Sequence, residues 1–180
     1  PKNWSGTVLK ASVKFNNATG SMAITSTKWD AGKILTDASV AVGAVSDPYV
    51  KPGDRKIFTY SRADAHRGGQ PFTAANKGSL DPEVLAALAV KPPSAPAALS
   101  DADMQDAHID WIRGERVNEA GAATGYLRSR TLIMGDVVNS GPVYKKGADK
   151  DVSGVGYAAF AHSVADRQGV VYVGSNDGMM

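Results

Sequence analysis

The chain has 180 residues, a formal net charge of +2 and no cysteine. That length fits one domain or two small ones, and 43% apolar with 21% charged residues is not the composition of a disordered tail. The near-balanced charge and the lack of any basic run argue against nucleic acid, the missing cysteines exclude disulfides and thiolate chemistry, and no apolar stretch is long enough for a membrane span.

Pro1-Lys2-Asn3-Trp4 carries neither a start Met nor a signal peptide, so a processed or excised chain is expected. Residues 7–15 alternate, with Leu9, Ala11, Val13 and Phe15 on one face and Lys10, Ser12 and Lys14 on the other, which predicts a half-buried strand. Asn16 to Gly20 is a turn, and Ser21–Ser26 is the returning strand of a hairpin. Trp29 to Leu35 has the pattern of a short helix. After the turn signals Asp47-Pro48 and Lys51-Pro52-Gly53, the β-branched and aromatic residues of Lys56–Tyr60 predict a strand.

Residues 61–79 are expected to be loop. Asp81-Pro82-Glu83 starts a helix, with Asp81 as N-cap, Pro82 in the first position, and Val84, Leu85 and Leu88 as the apolar stripe. Residues 91–99 are rich in Pro and Ala and form an internal linker. The strongest helix signal covers 101–113. Ser100 caps it, Asp103 completes a carboxylate version of the capping box, and Leu99 is spaced to staple against Met104. Met104, Ala107, His108, Trp111 and Ile112 share one face, Arg113 suits the negative end of the dipole, and Gly114 stops the helix.

Leu132–Val138 and Val143–Tyr144 are expected strands around Asn139-Ser140-Gly141-Pro142. Tyr157, Phe160, Ala161 and Val164 have helical spacing. Val170–Val173 is a strand, and Ser175-Asn176-Asp177-Gly178 a hairpin turn followed only by Met179 and Met180, so the last strand is expected to lack a partner.

Few residues suggest chemistry. Asp149, Asp151 and Ser153 alternate before Gly154 like the first half of a calcium loop, but Phe160 stands where a bidentate Glu would close the shell, so a polar loop is the better reading. Gly154-Val155-Gly156 lacks the preceding strand a dinucleotide site requires. His66, His108 and His162 are not at metal-ligand spacing, and His108 is expected to be a hydrogen-bonded core histidine. Asp101, Asp103, Asp106 and Asp110 are explained by capping and solvation. In Arg113-Gly114-Glu115 the glycine is a helix stop, so no receptor role is assigned. Trp29, Trp111, Tyr126 and Tyr144 are expected packing residues. No Gly-x-Ser-x-Gly elbow anchors a hydrolase triad.

Several segments in order resemble one family. Trp4-Ser5-Gly6, Lys28-Trp29-Asp30-Ala31 and Arg55-Lys56-Ile57-Phe58-Thr59-Tyr60 resemble the opening of the PilC/PilY β-propeller module. Asp110 to Glu115 with Glu119 is similar to its Trp-Leu-Arg-Gly-Asp…Glu stretch, with Glu115 for the usual Asp. Met134 to Tyr144 resembles its Leu-Gly-Asp-Ile-Val-Asn-Ser-x-Pro-Val-Tyr core, and Val171 to Met180 its Val-Tyr-Val-Gly-Ala-Asn-Asp-Gly-Met-Leu box. Gly135, Asp136, Asn139, Ser140, Pro142, Gly174, Asn176, Asp177 and Gly178 are the motif positions, expected to shape strand ends rather than bind a ligand.

The resemblance implies a mainly β fold with a few helices and an α+β tendency: a partial β-propeller of one or two blades with helical insertions, spanning 1–180 as a single-domain fragment. It implies a non-catalytic module, exported through the periplasm of a Gram-negative envelope to the cell surface and pilus tip. There it would support type IV pilus assembly and extension and surface adhesion. The implied partners are minor pilins, the remaining blades and a host or other surface receptor, with no nucleic acid. No cofactor is implied in this segment, because the family's calcium loop lies in later blades. Two alternatives stand beside it: a fragment of a quinone-cofactor propeller dehydrogenase, resembled only by residues 170–180, and a purely structural envelope propeller.

Overall fold

In the computed structural model, which describes residues 5–36 and 49–177, the chain opens with an antiparallel hairpin of β1 (Leu9–Asn16) and β2 (Ser21–Asp30). Its turn closes as the sequence dictates. The Asn16 side chain accepts from Ala18 N at 3.0 Å, Gly20 N donates to Asn16 O at 2.9 Å, and Gly20 takes φ +65°. The apolar face of this hairpin is exposed, contrary to the half-buried strand expected, because among the described residues no element packs over it.

At the base of the hairpin, Asp30 is buried and caps α1 (Ala31–Thr36) by accepting from Lys33 N at 3.1 Å. Thr7 Oγ1 donates to Asp30 at 2.5 Å and accepts from Gly32 N at 2.8 Å. The helix therefore starts two residues after Trp29, which stays in β2. Thr36 Oγ1 then accepts from Ile133 N at 2.9 Å, tying this region to a residue far along the chain.

The expected strand at 56–60 forms as β3 (Phe58–Ser61) and pairs with β4 (Gly68–Pro71), inside the stretch expected to be loop. Gly-Gly-Gln-Pro has no strand propensity, so β4 exists because its backbone groups are paired, not because of its side chains. Short 3-10 turns at Pro52–Asp54, Asp64–His66 and Ala74–Ser79 fill the remainder. α2 (Pro82–Leu88) begins at Asp81 as expected, but Asp81 does not cap it with its side chain. The buried carboxylate instead accepts from Ser61 Oγ, Arg62 N and Ala63 N at 2.8–3.0 Å, joining the end of β3 to the start of α2. Burial pushes the Asp81 carboxyl up, and these hydrogen bonds overcome that to hold it below the usual carboxylate value.

α3 (Asp101–Arg113) contributes to both hydrophobic clusters found among the described residues and lies between them. Ile109 packs with Phe72, Leu80 and Leu88 on one side, and Met104 and Ala107 pack with Tyr126 and Leu127 on the other. The single apolar face expected from the spacing leaves out Ile109, which is fully buried on a separate side because α3 is covered twice. Ser100 Oγ accepts from Asp103 N at 3.1 Å and donates to the Asp103 carboxylate at 2.6 Å, which holds that carboxyl below its ordinary value. Leu99 packs beside Met104 as the staple requires. At the other end, Gly114 takes φ +109°, Gly114 N donates to Trp111 O and Glu115 N to Asp110 O, both at 2.9 Å, forming a Schellman closure. Residues 91–99 fold as successive turns on this core, with Ser94 Oγ donating to Tyr126 O at 3.0 Å and Ala95 and Leu99 packed against the second cluster.

Leu132–Val138 is not a strand. The segment has one backbone bond on each flank, Gly6 N to Met134 O at 3.4 Å and Asn176 N to Asp136 O at 2.8 Å, which is too little for a ladder. β5 (Val143–Lys145) pairs antiparallel with β6 (Val170–Tyr172). The last strand thus has a partner, contrary to the sequence expectation, and that partner precedes α4 (Tyr157–Ser163). Gly178 and the turn signal Asp47-Pro48 lie outside the described residues, as do Trp4, Met179 and Met180.

Among the described residues the architecture is mixed, with short helices and three separate two-stranded antiparallel sheets. The α+β tendency is visible, and no closed barrel or propeller forms among the described residues. Ser100→Ala is expected to lower stability by about 1 kcal/mol through loss of the α3 cap. Ser100→Asp should stay close to the parent in urea melts followed by circular dichroism.

Candidate functional site

The C-terminal end of α3 gathers Arg113, Glu119 and Arg130, most of the buried charge among the described residues. A helix ends with carbonyls that have no intrahelical partner and with the negative end of its dipole, so donors and cations are favoured there. Here two arginines supply them. Arg55 Nη1 donates to Arg113 O at 2.7 Å, Arg130 Nη1 to Trp111 O at 2.7 Å and Arg130 Nη2 to Glu115 O at 3.1 Å. Arg55 also reaches Leu35 O at 2.6 Å, linking α1 to the end of α3. The Arg113 guanidinium turns back into the protein. It is buried, and it donates to the carbonyls of Phe72, Pro52, Gly53 and Arg55 at 2.8–3.1 Å. Arg113 therefore cannot serve in a displayed Arg-Gly-Glu recognition loop.

Glu119 balances part of this charge. It is buried and accepts from Arg130 Nε at 2.7 Å and Arg116 Nε at 3.0 Å. Burial opposes its ionisation, but the hydrogen bonds from Arg130 and Arg116 prevail and keep the carboxyl below its ordinary value. Burial likewise weakens the hold of Arg130 on its proton, and Glu119 counters that. The Arg130 guanidinium lies 4.0 Å from the Trp111 ring centroid and that of Arg128 5.6 Å, while Trp111 Nε1 donates to Arg128 O at 3.0 Å. Trp111 is half-buried and stands between two cavities. One, of about 430 Å³, runs from Trp111 and Arg128 to Gly135, Asp136 and Asp177; the other, of about 420 Å³, lies toward Pro92, Pro93 and His108. His108 Nδ1 is 2.7 Å from Leu88 O, as expected of a hydrogen-bonded histidine.

Six of the nine sequence motif positions come together beside the first cavity, which Gly135, Asp136 and Asp177 line. Asn176 N donates to Asp136 O at 2.8 Å, Asn176 Nδ2 to Asp136 Oδ2 at 3.1 Å, and Gly174 N to Ser140 Oγ at 2.9 Å. A Cβ added to Gly135 would collide with the Asp177 carboxyl, and one added to Gly6 would lie 2.8 Å from Gly135 O and Val137 N. Backbone approach thus requires glycine at Gly6, whereas at Gly135 the neighbour is the end of an exposed side chain that can turn aside. Asp177 also bonds the Ser175 hydroxyl. Asn139 and Pro142 are exposed on the segment leading into β5. Tyr144, expected to be a packing residue, is largely exposed, though its ring lies directly over Gly169.

Asp149, Asp151 and Ser153 lie in an exposed turn. Asp149 is paired with Lys145 Nζ at 2.5 Å, and its carbonyl accepts from Tyr157 Oη at 2.7 Å, so an ammonium group already occupies the position a cation would need. Among the described residues no three His, Asp or Glu side chains are grouped for a metal. The helix carboxylates go separate ways, Asp101 to Lys91 and Asp106 to Lys77.

The arginine network is not legible in the sequence, where Arg113 reads only as a dipole partner. The signal that could have found it is the density of arginines at 113, 116, 128 and 130 around Glu115 and Glu119.

This geometry defines a mixed α/β unit knit together by arginine-to-carbonyl bonds, with two glycine-containing loops locked side by side. In sequence the chain is similar to part of two curated proteins. It is 44% identical over 46% of its length to the type IV pilus biogenesis factor PilY1 homolog of Xylella fastidiosa, and 29% identical over 99% of its length to the type IV pilus biogenesis factor PilY1 of Pseudomonas aeruginosa. The chain spans 7% and 14% of the lengths of these relatives. No family model and no solved structure matches.

Glu119→Gln should cost about 3 kcal/mol, since it leaves the buried Arg130 without its countercharge. The Glu119 contribution is present above the unfolded value near 4.5 and is lost as pH falls through the lower folded value. Urea melts from neutral to acid pH should show the gap between parent and variant closing at the acid end.

Proposed function

We propose that this chain is a non-catalytic module of a type IV pilus biogenesis factor. The observation that carries the reading is the similarity along 99% of the chain to a PilY1 protein. In this reading the factor is exported to the cell surface and pilus tip, where it supports pilus assembly and adhesion and contacts minor pilins. The buried arginines and close-packed glycines support a scaffold role, because these groups are spent on internal carbonyls and loop contacts.

The chain is further read as the opening part of a β-propeller. Each of its sheets has only two strands, and an isolated two-stranded sheet is marginal in water. In β5 and β6, Tyr144, Val143 and Tyr172 are exposed, as strands awaiting neighbouring strands would be. A clean deletion of the encoding gene is expected to reduce surface pili and twitching, with restoration by the intact gene. Normal piliation in the deletion strain would contradict the proposal.

A further inference from the structure

Among the described residues the β1–β2 hairpin has an apolar face that no other element covers. Val13 pairs with Ile24 and Phe15 with Met22, so all four side chains share one face. Their exposures are 59%, 71%, 56% and 74%. Leu9, on the same side of β1, is 53% exposed. The turn at Gly20 has open space around it. Among the described residues the hairpin is anchored at its base, through Thr7, Asp30 and α1.

Its charge is one-sided. From Leu9 to Trp29 there are three lysines, Lys10, Lys14 and Lys28, and no acidic residue. All three are exposed, and none makes an ion pair among the described residues. Lys10 and Lys14 alternate with Leu9, Val13 and Phe15 along β1, giving an amphipathic ribbon with a basic back.

The edges of the ribbon are poorly suited to accept another strand. The register shifts between Lys10 and Ala11 and between Ser12 and Val13, leaving Lys28 and Thr25 as extra residues that bulge β2. β1 carries lysines, and both bulges and edge lysines discourage strand addition. The ribbon is therefore built to be covered across its apolar face. An apolar layer bordered by negative charge satisfies that face and the lysines together.

We propose that the β1–β2 hairpin is a peripheral membrane-docking arm, inserting Val13, Phe15, Met22 and Ile24 among the acyl chains of an anionic bilayer while its lysines reach the headgroup phosphates. No helix among the described residues is long and apolar enough to cross a membrane, so this contact would be an interfacial one. The inference stands apart from the pilus reading and would hold or fail without it.

Co-sedimentation of the 180-residue chain with phosphatidylglycerol vesicles and with phosphatidylcholine vesicles tests it. Binding is expected to the first and not the second, and to weaken with added salt. Lys10→Gln/Lys14→Gln should lower affinity for phosphatidylglycerol roughly thirty-fold, and Phe15→Ser/Ile24→Ser should remove binding. Phe15→Trp keeps the apolar face and reports insertion directly. Relative to the parent, its added fluorescence should shift to the blue on vesicles and be quenched by brominated acyl chains, a readout that does not depend on whether the serine variant folds. Absence of phosphatidylglycerol binding, equal binding to both vesicles, or an unquenched tryptophan in the Phe15→Trp variant would overturn the proposal. So would a parent dimer in light scattering that Phe15→Ser/Ile24→Ser dissociates, which would give the face to a second copy of the chain.

Discussion

One guanidinium buried among peptide carbonyls ties the last turn of α3 to residues 52–55 and 72. Arg113 leaves the last turn of α3 and donates to Pro52, Gly53, Arg55 and Phe72. Those carbonyls belong to irregular segments that have few ladder bonds of their own, so the cation takes over the task a sheet would otherwise perform. A buried charge is costly unless hydrogen-bonded, and charge-assisted bonds are roughly twice as strong as neutral ones, which makes the arrangement both demanding and specific. Arg55 returns the bond to Arg113 O and reaches on to Leu35 O, and Arg130 closes the other carbonyls of the same helix end. The helix terminus thus acts as a clamp on segments far apart in sequence.

The clamp explains how so little regular structure holds a defined shape. Two small clusters flank α3 instead of one continuous core, and the sheets are separate ribbons. The cavity beside Trp111 connects the clamp to the junction where Gly135 and Asp136 meet Asn176 and Asp177. Some of the residues that carry the resemblance, Gly135, Asp136, Ser140, Gly174, Asn176 and Asp177, therefore meet in one local structure. Their chemistry is close backbone approach and side-chain-to-backbone bonding.

The features legible in the sequence have local causes. α3 follows from Ser100, Asp103, Met104 and Gly114, because cap, staple and stop act within a turn or two. The hairpin follows from alternation and from Asn16 and Gly20. The features that are not legible depend on distant partners. β4 is strand only because β3 lies beside it. Asp81 has the position of a cap but is drawn away by Ser61, Arg62 and Ala63. Ile109 falls outside a single stripe because α3 packs on two sides. Leu132–Val138 has strand composition without a neighbour that offers a ladder. The arginine hub is hidden for the same reason, since a guanidinium's carbonyl partners leave no pattern in sequence.

If Arg113 acts through its fork of donors rather than through charge alone, Arg113→Lys separates the two. Lysine keeps the charge but cannot reach four carbonyls in the same geometry. Hydrogen exchange followed by mass spectrometry on parent and variant, with urea melts alongside, is the direct measurement. The expected result is a loss of about 3 kcal/mol and faster exchange at residues 52–58 and 72, with β5 and β6 little changed. Unaltered stability with unaltered protection at 52–58 would show that the buried guanidinium is not what holds these segments together.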